Sequence, residues 1–171
     1  MLHKISDIMD KIVVKQGKAT AMLMPLLVVV TGIEVFRRYV LQAPSVWGLE
    51  FTTFLFGINF ILGFSYTEHF DGHVNVDLLT SRLTPKNRTV LWLAATLLLS
   101  LPTAMLLLYG AIVYAYESVE IFERNSTAWS PAIWPVKLFM PIAFFFLLIQ
   151  LVSNIIKKFQ SLKTDEKGGK V

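Results

Sequence analysis

Four uninterrupted apolar blocks dominate this chain, and they leave it few ways to fold. A helix needs about 20 apolar residues to cross a bilayer, because each adds ~1.5 Å against a hydrocarbon core of ~30 Å. Four stretches meet that length, at residues 19–40, 47–66, 90–116 and 138–156. The first is free of charge over Ala19–Ile33 and then meets Glu34, Arg37 and Arg38. The second carries Glu50 near its start, the third has no charge at all, and the fourth reads LFMPIAFFFLLIQLVSNII. The third is long enough to tilt or to run on into the interface. Strands of a membrane barrel would alternate in polarity over ~10 residues. These blocks do not alternate, so helices are expected.

The reading is therefore an all-α integral membrane protein: one domain over residues 1–171, with four transmembrane helices and a tail at 157–171. The end of that tail, TDEKGGKV, is polar enough to be disordered. Composition agrees, since only 16% of the residues are charged, where soluble domains carry about 25%. The absence of cysteine excludes disulfides and thiol or iron–sulfur chemistry. A net charge of +4 raises the question of nucleic acid. The basic residues sit beside the apolar blocks, however, where they orient helices in a membrane, and no nucleic-acid partner is expected.

That orientation follows from where the lysines and arginines fall. The two ends and the second loop hold Lys4, Lys11, Lys15, Lys18, Arg82, Lys86, Arg88, Lys157, Lys158, Lys163, Lys167 and Lys170; the first and third loops hold Arg37, Arg38, Arg124 and Lys137. A division of 12 to 4 places both termini in the cytoplasm. The third loop, with Glu117, Glu120 and Glu123, then faces the other side. A cleaved signal peptide is not expected at the first block, because charged residues follow it where a small-x-small site belongs.

Punctuation inside and between the blocks adds detail. Pro25, Pro102 and Pro141 fall within spans and are expected to kink them. In HVNVDLLTSRLTPKNR, Val76, Leu79 and Leu83 share a helical face, which suits a short amphipathic helix on the cytoplasmic surface between helices two and three. Thr84–Pro85 reads as the cap and first residue of the third helix, and Ser130–Pro131 as a helix start before the fourth. Trp47, Trp129 and Trp134 lie where an interfacial aromatic belt belongs.

Chemistry-bearing groups are sparse. His3, His69 and His73 lie outside the expected spans, and no phosphate-binding glycine loop is present. Secondary transporters hold their substrates near the midplane with broken helices and internal repeats. This chain has no repeat, and its helix middles offer little beyond Thr31, Asn59, Thr96, Ser100 and Gln150. Asn59 and Gln150 are expected to hydrogen-bond between helices. Glu34, Arg37 and Arg38, at i, i+3 and i+4, either neutralise one another or meet a partner subunit or lipid headgroups. Glu50 either favours the helix dipole or contacts a partner. His69 and His73 share a helical face and could hold a metal, although Gly72 between them favours a hydrogen-bonded interfacial network.

Three segments carry a resemblance. They are FRRYVLQAPSVWGLEFTTFLFGINFILG at 36–63, EHFDGHVNVDLLTSRLTPKNR at 68–88, and STAWSPAIWPVKLFMPIAFFFLLIQ at 126–150. In order and spacing they resemble the small, DctQ-type membrane subunit of tripartite ATP-independent periplasmic (TRAP) transporters. The matching features are Arg-Tyr, a Pro-x-x-Trp turn with an acidic residue after it, His-x-x-Val-Asp, and Trp-Pro-x-Lys ahead of a proline-bearing last helix. Many members carry two adjacent acidic residues after the Trp turn. Here Gly48-Leu49-Glu50 supplies one, so a role needing both is not carried over.

The resemblance implies a non-catalytic subunit of the bacterial inner membrane, free-standing rather than fused. It would scaffold a large, DctM-type membrane subunit that holds substrate and sodium ions, while a periplasmic binding protein delivers the organic anion. It implies no cofactor on this chain, and membrane lipids as a further partner. Arg37, Arg38, Trp47, Glu50, His73, Asp77, Trp129 and Lys137 are the expected interface or positioning residues. Two other readings are a self-sufficient homo-oligomeric transporter or channel, and a membrane enzyme built on His69 and His73.

Overall fold

In the computed structural model, which describes residues 2–70, 72 and 83–168, the chain is helical almost throughout. The helices are α1 (Leu2–Ala21), α2 (Leu23–Tyr39), α3 (Gly48–His69), α4 (Pro85–Ala95), α5 (Leu101–Glu120), α6 (Trp134–Lys137) and α7 (Phe139–Gly168). Four helical stretches among the described residues are long and apolar enough to cross a membrane: His3–Tyr39, Gly48–His69, Lys86–Glu120 and Trp134–Leu162. The amphipathic helix expected at Val76–Leu83 lies outside the described residues for all but its last residue, as do His73 and Asp77.

Each proline within a span is preceded by a local defect. Pro25 has no N–H to give to the Ala21 carbonyl, and the helix breaks at Met22, between α1 and α2. Pro141 is likewise preceded by a turn at Leu138, between α6 and α7. Ahead of Pro102 the chain widens into a π-turn over Thr96–Ser100, closed by Leu101 N–H donating to the Thr96 carbonyl. The extra residue in that turn absorbs the step at the proline. At Thr84 the expected cap is present, with its hydroxyl accepting from Asn87 N–H at 3.4 Å and Pro85 opening the helix.

Packing follows a seven-residue rhythm. Buried positions on α1 and α2 include Ser6, Val13, Thr20 and Glu34; on α3, Gly48, Leu55 and Leu62; on α5, Ala104, Ala111 and Ser118. A repeat of seven keeps one stripe facing its neighbours as helices coil left-handedly. Small residues on that stripe let backbones approach closely, since lipid gives no hydrophobic drive for helix association. Gly17 shows how closely: a Cβ there would lie 2.1 Å from the Tyr66 ring. Helix α7 is central, touching α1, α3, α4 and α5, while α2 leans on α3.

Two features go beyond the expectations. Helix precedes the span read at residues 19–40, starting at Leu2, because α1 has its own buried stripe of Ser6, Val13, Gly17 and Thr20 against α3 and α7. The tail was expected to be disordered from Thr164, yet α7 continues to Gly168. A helix already nucleated extends cheaply through residues such as Gln160, Leu162 and Lys163.

Candidate functional sites at the two ends of the bundle

The end opposite the chain termini is organised by Glu34. The spacing that puts Glu34 on the buried stripe of α2 leaves its carboxylate only 8% exposed. It accepts from Ser45 N–H at 3.3 Å, from the Ser45 hydroxyl, and from the Arg38 guanidinium at 3.4 Å. The Ser45 hydroxyl in turn accepts from Gly48 N–H at 2.9 Å, satisfying the first N–H of α3. A Cβ on Gly48 would stand 2.3 Å from the Glu34 carboxylate, so this close approach needs glycine. Of the charged trio, Arg38 is therefore the local partner of Glu34. Arg37 is half-buried, with its Nε shielded from solvent and unpartnered.

The segment between α5 and α6 closes the same end. Asn125 N–H donates to the Pro131 carbonyl and Ile133 N–H to the Glu123 carbonyl, with Ser130 at φ 47° turning the chain. Ser130–Pro131 thus closes a loop rather than starting a helix, which begins at Trp134 with Pro135 in its first turn. Three of the expected residues engage this segment. Glu50 accepts from the Asn125 side chain at 3.3 Å. Trp129 packs against Phe54, ring centres 6.5 Å apart. Lys137 pairs with Glu123 while standing 3.9 Å over the Tyr114 ring. The hydrogen bond from Lys137 holds the Glu123 carboxyl below its ordinary pKa. Trp47 stays largely exposed beside the α2–α3 turn, edge-on to Phe51.

At the terminal end sits a cluster that the sequence reading did not single out. Asp10 of α1 is ion-paired with Lys157 and accepts from Ser153 at 2.6 Å and from Gln150 at 3.2 Å, all on α7. His69, closing α3, lies 3.6 Å from the same carboxylate. Asn154 donates to the Glu68 side chain at 3.1 Å, and Gln16 donates to the Leu62 carbonyl at 3.1 Å while accepting from Ser65. Gln150 is fully buried and bonds between helices, as its position suggests. Asp10 could have been found from its place on the stripe Ser6–Asp10–Val13–Gly17, where an acid invites a basic partner. Among the described residues no three His, Asp or Glu side chains gather as a metal site.

The sequence profile of the family described as tripartite ATP-independent periplasmic transporters, DctQ component, matches residues 27–161. The chain belongs to the DctQ family. It is thus a multi-pass membrane protein and the small permease subunit of a TRAP transporter. No curated protein matches it. The DctQ match includes the Glu34 clamp, the closing segment 121–133 and the α7 side of the Asp10 cluster, but it begins beyond α1.

Proposed function

We propose that this DctQ subunit is the non-catalytic scaffold of a sodium-coupled importer of organic anions in the bacterial inner membrane, with both termini cytoplasmic. A DctM-type large subunit holds the substrate and sodium ions, and a periplasmic binding protein delivers the anion; this chain carries no cofactor. The observation that carries the reading is where its buried polar groups are used. Asp10, Gln150 and Ser153 at one end and Glu34 at the other hydrogen-bond within the chain. Between them the helices meet through Val30, Leu55, Leu62, Ala104, Ala111 and Ala143. Transport at a midplane site needs polar groups free to take a substrate, and these four brace the two ends of the bundle. The extensive apolar surface of α2, including Val28, Val29, Ile33 and Phe36, is available for a partner or lipid.

Mild-detergent purification of the tagged chain from its native membrane, followed by mass spectrometry, tests this. A larger polytopic subunit should come with it in near-stoichiometric amount, and vesicles holding both, but not this chain alone, should take up anion in a sodium gradient. A stable homo-oligomer with flux of its own would overturn the proposal.

A further inference from the structure

We infer that the outer face of α1 holds the headgroup of one anionic phospholipid. Lys11, Lys15 and Lys18, at i, i+4 and i+7, share a helical face. Together with Val14 and His69 they line a hollow of about 600 Å³ between α1 and the end of α3. Two acids also border it: Asp10, ion-paired with Lys157, and Asp7, half-exposed with His3 at 3.6 Å. The three lysines are exposed and make no ion pair or hydrogen bond among the described residues. The hollow therefore carries an excess of positive charge, three unpaired lysines against one acid not already ion-paired to a lysine.

Their depth decides what fills it. Asp10, His69 and Lys157 mark the charged end of the bundle, whereas Gln16 already packs on Leu62 and Ser65 inside α3. Lys18 is a further ~10 Å along the axis from Lys11, at 1.5 Å per residue. It adjoins the apolar block that begins at Ala19. A lysine at that level extends its ammonium toward the boundary, and charges there are costly unless paired. Lys18 thus brings its ammonium toward the level of the lipid phosphates, on the face it shares with Lys15 and Lys11. The acyl chains of a lipid held there would run along the apolar block that follows Lys18. The site lies in a part of the chain outside the family match and does not depend on the transport reading.

The test is native mass spectrometry of the full chain, purified in mild detergent and titrated with phosphatidylglycerol or with phosphatidylcholine of the same acyl chains. At about fivefold per lysine, K11Q/K15Q/K18Q should lower phosphatidylglycerol affinity on the order of 100-fold at low salt. K11R/K15R/K18R should retain binding, as should the charge-matched control K4Q/K163Q/K167Q. Equal loss in the control, or no loss in either, would overturn the inference. Displacement of the lipid by an equal concentration of glycerol phosphate would also overturn it, assigning a free-anion site instead. If the glutamine variant does not fold, the wild-type chain decides: its preference for phosphatidylglycerol should fall steeply with salt, and a salt-independent preference refutes the site. Carbodiimide coupling of Lys15 to an acidic residue of another protein in native membranes would likewise refute it.

Discussion

Gly48 stands where two helices and a turn converge, with the Glu34 carboxylate and the Ser45 hydroxyl both inside the space a methyl group would take. Gly48→Ala must push the carboxylate off at least one of its donors. It should cost about 1–3 kcal/mol, the usual range for overpacking, read as a lower denaturant midpoint in detergent. Glu123 makes a prediction in pH. Its folded pKa is depressed by Lys137, so its contribution to stability is present above the ordinary glutamate range and lost as pH falls through and below it. Wild-type melting temperature should therefore fall more steeply on acidification than that of Glu123→Gln. Parallel curves would show that the ion pair does not bear on stability.

At the scale of elements, α1 was the hardest to place from sequence. Its lysines read only as orienting charges ahead of the first span, and its buried positions are Ser6, Gly17 and Thr20 as well as Val13. Hydropathy sees no reason for such a helix to dock. The docking rests on complementary polar groups 140 or more residues away, which no local pattern reveals. The apolar blocks, the Thr84–Pro85 cap and the proline defects were legible because each is encoded within a few neighbouring residues. The Glu34 clamp was half legible: its spacing to Arg38 is local, but the return of Ser45 depends on how the 40–47 turn closes. Asp10→Asn would take from Lys157 its ion-pair partner. Because Lys157 is 36% exposed, the expected loss is about 1–3 kcal/mol rather than that of a fully buried pair. Exchange of the two charges in Asp10→Lys/Lys157→Asp should recover part of it, measured by the same unfolding midpoint.

For the whole molecule, the even split of polar clusters between the two ends leaves a middle held by small and aliphatic side chains. Sidedness can be read directly, because the chain has no cysteine of its own. Ser161→Cys should react with a membrane-impermeant maleimide only from the cytoplasmic face, and Glu120→Cys only from the opposite face. The reverse pattern would invert the topology derived from charge. Met22→Cys and Leu98→Cys, both on exposed apolar surface, should resist the reagent from either side.

The Asp10–Lys157 pair joins α1 to α7 across 147 residues of chain. During synthesis at ~5–20 residues per second, the acid waits for its lysine while the rest of the chain is translated. Until α7 is made, α1 has only part of its socket, and a chain cut short before the fourth span would leave that acid without its lysine.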